Sequence, residues 1–133
     1  MRKVKTTKFV LVAAKEDVLN NLRNALANTN LALLHAQTKH EAVALLAEPE
    51  SKIDLAIIDL ELPDLGGWDL IEQITWLPQK SVKIIATTSS VCLEPFLGKV
   101  TELGVNAVVR ADLPPGAWRK TVEEVLAKTE TVH

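Results

Sequence analysis

The chain has few of the residues that several protein classes depend on. One cysteine, Cys92, in 133 residues excludes an intramolecular disulfide and suits a reducing cytosol. Cys92 stands among apolar neighbours and reads as a small buried hydrophobe rather than a nucleophile. Only five glycines are present, with no Gly-rich dinucleotide fingerprint among them. The three histidines, His35, His40 and His133, lack metal-ligand spacing. Basic residues cluster only at the start, in Arg2, Lys3, Lys5 and Lys8, and the net charge is −2. A basic face for phosphate contacts is therefore missing, and direct nucleic-acid binding is not expected. The apolar stretch 9–14 is stopped by Lys15, too short for a signal peptide or a membrane span. A soluble, cytoplasmic protein is expected.

What is present describes a globular chain. Apolar residues make up 47% and charged residues 24%, a balance that favours a packed core over disorder. A chain this long buries such a core without metals or disulfides. The expectation is one domain over residues 1–133, with its ordered core from about 7 to 128.

Short, continuously apolar runs occur at 8–14, 31–36, 54–59, 82–88 and 106–110, the pattern of parallel strands buried on both faces. Helical spacing fills the intervals. Val18, Leu22, Ala25 and Leu26 form the first stripe. Thr38 and Glu41 form a capping box ahead of Ala42, Leu45 and Leu46, and Pro49 ends that helix. A third helix runs from about Trp68 through Leu70, Ile71 and Ile74 to near Pro78. The fourth is weak, because Pro95 and Gly98 lie within it. It is expected to start near Pro95 after an irregular lead-in at 89–94, with Gly104 as a left-handed stop. Pro114 and Pro115 open the last helix, which carries Trp118, Val122, Val125 and Leu126. Five β-α repeats predict a doubly wound (βα)5 α/β sandwich, its parallel five-stranded sheet in the flavodoxin-like order 2-1-3-4-5.

In such a fold the functional edge lies at the carboxyl ends of the strands. The third strand ends in Asp59-Leu60-Glu61-Leu62-Pro63-Asp64-Leu65-Gly66-Gly67. This apolar strand, terminal Asp59, Leu62-Pro63 and Gly67 before a helix resemble the phospho-acceptor stretch of response-regulator receiver domains. With the five repeats, the resemblance covers nearly the whole chain. It implies that Asp59 is the phosphoryl acceptor position. It also implies that Thr88, or alternatively Ser89 by spacing back from Gly104, is the hydroxyl that grips the phosphoryl group.

Elsewhere the chain departs from that family. Receivers hold Mg²⁺ with an acidic pair after the first strand, where this chain has Ala13 and Ala14. Glu16 and Asp17 follow, and favour a helix N-terminus over metal ligation. The Lys-Pro pair after the fifth strand is replaced by Ala111-Asp112, and the aromatic switch position by Val108. Arg110 is one residue away and should face the other side of the sheet. Without its acidic neighbours, Asp59 is expected to stay ionised at a wet rim.

The favoured reading is a degenerate receiver, not an enzyme, that binds a protein partner and needs neither metal nor cofactor. Its partner surface is expected on the face of the fourth helix, fifth strand and last helix, with Val91, Leu93 and Phe96 as apolar contributors and a homodimer as one form of partner. A second reading keeps phosphorylation at Asp59 with an unusual Mg²⁺ site, in a pocket where Glu16, Asp17 or Arg110 substitutes for the missing acidic pair and lysine. A third, a small flavodoxin-like enzyme or cofactor binder, is opposed by the sequence after the first strand. Ala13-Ala14-Lys15-Glu16-Asp17 is not a phosphate loop, and no Asp-x-His motif occurs.

Overall fold

Alternation between apolar runs and amphipathic segments becomes, in the computed structural model, a strictly alternating set of strands and helices. In chain order they are β1 (Lys8–Ala13), α1 (Glu16–Ala25), β2 (Leu31–Ala36), α2 (Lys39–Ala47) and β3 (Ile53–Asp59). They continue with α3 (Gly66–Thr75), β4 (Lys83–Thr88), α4 (Glu94–Glu102), β5 (Ala107–Arg110) and α5 (Pro115–Ala127). The structure describes residues 6–48, 51–63, 66–77, 82–89 and 94–128, the side chains of 94–97 excepted. The expectations at residues 2–5, at Pro49, Pro78, Val91, Cys92, Leu93 and His133, and for the Phe96 side chain lie outside the described residues.

The five strands pair in parallel in the order β2-β1-β3-β4-β5. Alternate side chains of the buried strands enter two separate cores, as a sheet covered on both faces requires. Leu11, Ala13, Ala56, Ile58, Ile84 and Ala86 pack with Ala42, Leu46, Leu70, Ile71 and Ile74 from α2 and α3. On the other face Val10, Val12, Leu55, Ile57 and Ile85 pack with Val18, Leu22, Trp118, Val122 and Val125 from α1 and α5.

Local signals explain most element ends. Pro115 occupies the first turn of α5, following Pro114 at the N-cap, where a missing N–H costs nothing. Gly104 adopts φ +78° after α4, a conformation open to glycine without strain. The α2 capping box forms only in part. Thr38 accepts from the Glu41 N–H at 3.1 Å, but Glu41 accepts from the Gln37 N–H at 2.9 Å, one residue before the expected donor. The β5 ladder begins at Ala107, because Asn106 uses its side-chain oxygen to accept the Ile84 N–H at 2.8 Å. Among the described residues no helix is long and apolar enough to cross a membrane.

Candidate functional site

In a parallel sheet of this order the crevice opens at the carboxyl edge where β1 and β3 meet. Ala13 of β1 pairs with Ile58 of β3, and Asp59 pairs with Thr87 of β4. Asp59 thus stands between the ends of two neighbouring strands.

A tight turn holds it there. Asp59 Oδ1 accepts from the Glu61 N–H at 2.7 Å, and the Asp59 carbonyl accepts from the Leu62 N–H at 3.1 Å. Buried Leu60 and Leu62 anchor the turn to the core. A Cβ on Gly67 would lie 2.2 Å from the Asp59 carbonyl oxygen and 2.9 Å from the Leu60 Cα. Only glycine lets the start of α3 approach the β3 end this closely.

The expected wet rim is corrected here, since Asp59 is only 5% exposed. Burial pushes its carboxyl above the ordinary range, because the charged form loses water. The Glu61 N–H opposes that rise. The Glu61 carboxylate adds to it by charge repulsion, Lys15 lowers it and Asp17 raises it.

Glu61 itself faces the end of β4. Its Oε1 accepts from the Ser89 N–H at 2.5 Å, the Ser89 hydroxyl at 2.7 Å and the Thr88 hydroxyl at 3.1 Å. Oε2 lies 2.8 Å from the same Ser89 hydroxyl. These donors hold the Glu61 carboxyl below its usual range, the Ser89 N–H most of all. Of the two hydroxyls named from the sequence, Ser89 makes the closer contacts. The residue paired in register with Asp59 is neither of them but Thr87, one position before Thr88.

The remaining sequence-named residues bring little polarity to the crevice. Ala13 and Ala14 are both 0% exposed, their methyl groups buried in opposite cores. The Ala14 carbonyl accepts from His35 Nε2 at 2.8 Å. Val108 and Ala111 are half-buried on opposite faces of the sheet, and the Ala111 N–H donates to the Thr88 carbonyl at 2.9 Å. Arg110 is exposed and paired with Asp112 at 2.7 Å. Asp17 accepts from its neighbour Val18 N–H at 2.9 Å in the first turn of α1.

A model of the response regulator receiver domain matches residues 9–123. The chain belongs to the response regulator receiver family. Solved structures agree across nearly all of it. The non-phosphorylated HemR receiver domain from Leptospira biflexa is 25% identical, with a TM-score of 0.78, covering 96% of this chain and 100% of that one. A phosphorylated cyanobacterial phytochrome response regulator, RcpA, is 21% identical with a TM-score of 0.80, covering 95% and 98%. A response regulator from Thermotoga maritima is 19% identical with a TM-score of 0.78, covering 92% and 99%. No curated protein matches.

Receiver domains are signalling modules that interact with other proteins, and this receiver shares their architecture. Two of its site residues are not singled out by sequence alone. Glu61 stands in the Asp59 loop with no signal of its own. Lys15 follows the alanine pair, and its charge reaches both Asp59 and Glu61. Its place at the carboxyl edge of β1 was the available signal.

Proposed function

We propose that this receiver signals through protein contacts and that its pocket is not built for Mg²⁺-dependent phosphorylation of Asp59. The observation that carries this reading is the pair Ala13 and Ala14, buried methyl groups beside the carboxylate-bearing end of β3. Mg²⁺ takes oxygen ligands in a demanding octahedral shell and is usually held by one or two carboxylates with phosphate and water. The residues present do not fit it. Oδ1 of Asp59 is engaged by the Glu61 N–H, and the Glu61 carboxylate is turned onto Ser89 and Thr88. Among the described residues no group of three or more His, Cys, Asp or Glu is arranged to hold a metal. Phosphoryl transfer depends on neutralising the charge of the transferring group. Ala111 brings no cation, and Arg110 is committed to Asp112.

The partner surface in this reading is the face of α4, β5 and α5, which a second copy of the chain could also use. Support comes from the short edge strand β5 and an open depression lined by Val108, Val109, Arg110, Asp112, Leu113 and Pro114. A second reading, a phosphorylatable receiver, finds support in Lys15, whose charge favours ionised Asp59.

Beryllofluoride with Mg²⁺ separates the two. Trp68, on the first turn of α3 and under the Lys99 ammonium at 4.9 Å, is the fluorescent reporter. Unchanged emission at millimolar beryllofluoride supports the first reading. A saturable change that disappears in Asp59→Asn overturns it.

A further inference from the structure

The Glu61 contacts describe a small receptor for a negatively charged oxygen. One backbone N–H and two hydroxyls converge on a single carboxylate oxygen, at 2.5 Å from Ser89 N, 2.7 Å from Ser89 Oγ and 3.1 Å from Thr88 Oγ1. Short charge-assisted hydrogen bonds of this kind are stronger than neutral ones. The occupant comes from the same chain, 28 residues away from Ser89 in sequence. It is attached to the turn that also supplies the N–H bound to Asp59. Glu61 is exposed, so packing does not force its side chain into this position. The donors hold it there, and they lower its pKa as expected for a bound anion.

From this geometry we infer that Thr88 and Ser89 form an oxyanion-binding cradle and that Glu61 is its resident ligand, holding the end of β4 in its anion-bound arrangement without an external anion. The inference rests on the preceding reading only for its regulatory meaning, that a domain without a phosphoryl signal keeps this junction permanently set. The cradle's ligand class is a tetrahedral or planar oxyanion, and Glu61 excludes such anions from solution by occupying their place. The set junction extends into the sheet, because the Ala111 N–H donates to the Thr88 carbonyl at 2.9 Å. Release of Glu61 therefore loosens the β4 end and its bond to the residue following β5.

Amide signals of Ser89 and Ala111, followed by NMR in the wild type, Glu61→Ala and Glu61→Gln, test this directly. Buried Trp118 emission and Ile85 amide protection check that each variant is folded. In Glu61→Ala the Ser89 N–H is expected to exchange at least ten-fold faster than in the wild type, with a smaller acceleration at Ala111. Glu61→Gln, which keeps an acceptor oxygen without its charge, should fall between. Inorganic phosphate, without added metal, should move the Ser89 signal of Glu61→Ala back toward its wild-type position and leave the wild type unmoved. Unchanged Ser89 exchange in both variants would overturn the inference. So would an equal response of wild type and Glu61→Ala to phosphate, whether both respond or neither does. Ready phosphorylation of wild-type Asp59 by a small donor with Mg²⁺ would overturn the preceding reading alone, leaving Ser89 to decide this one.

Discussion

The Glu61 carboxylate accepts both the backbone N–H and the hydroxyl of Ser89, at 2.5 and 2.7 Å. That contact ties the turn after β3 to the end of β4. It also keeps a second negative charge near Asp59, whose protonation it favours. The crevice is organised around these two carboxylates, one buried and one exposed, with opposite dependence on pH.

For Asp59, burial raises the folded pKa above its ordinary value of 3.8. The folded state then binds its proton more tightly than the unfolded chain does. The stabilising effect of that proton is complete below 3.8 and is lost as pH rises through the folded value. Above that folded value the wild type carries a desolvated charge. Asp59→Asn keeps an oxygen for the Glu61 N–H and removes that charge. Urea unfolding at pH 7 should show the variant more stable by about 1 kcal/mol, with the difference vanishing at acid pH.

Glu61 has the opposite sign. Its folded pKa lies below the ordinary 4.5, so its contribution is present above 4.5 and is lost as pH falls through the folded value. Glu61→Gln should destabilise the domain at pH 7, by less than about 1 kcal/mol because the group is exposed and screened. Chemical denaturation at pH 7 and in the acid range checks the narrowing of that gap.

Gly67 faces backbone rather than a flexible side chain, and a methyl group placed on its Cα would meet the Asp59 carbonyl oxygen at 2.2 Å. Gly67→Ala must push α3 away from β3, and a loss of about 3 kcal/mol is expected. Gly116, with nothing within 4 Å of its Cβ direction, is the control. Gly116→Ala should leave the thermal midpoint nearly unchanged or raise it.

Thr87 is 0% exposed and its hydroxyl has no hydrogen-bond partner among the described residues. An unpaired buried hydroxyl destabilises the folded state, and valine has nearly the same shape. Thr87→Val should stabilise the domain by about 1 kcal/mol, read from the urea midpoint.

Much of the fold was legible because its signals are local. Continuous apolar runs marked the strands, Pro114-Pro115 the start of α5, and Gly104 the end of α4. Strand order followed from the repeat pattern and chain handedness. The alanine pair could also be read directly, since residue type alone decides what oxygens are available. The orientation of Glu61 could not. It depends on a tertiary meeting between two loops, and nothing around Glu61 in sequence points toward Ser89. The burial of Asp59 was missed for a related reason. The Gly67 contact and the folding of Leu60 and Leu62 into the core arise only when α3 closes on β3. The capping box is shifted by one residue, since Glu41 accepts from the Gln37 N–H rather than the Thr38 N–H.

Phosphoryl transfer to Asp59 is the reaction that most directly tests whether this receiver has given up its family's chemistry. Wild-type protein and Asp59→Asn can be incubated with phosphoramidate and Mg²⁺ and followed by intact mass. A pocket without metal ligands predicts no phosphoryl adduct on the wild type above the level of the Asp59→Asn variant. An adduct that approaches one per chain, requires Mg²⁺ and is absent from Asp59→Asn would contradict it.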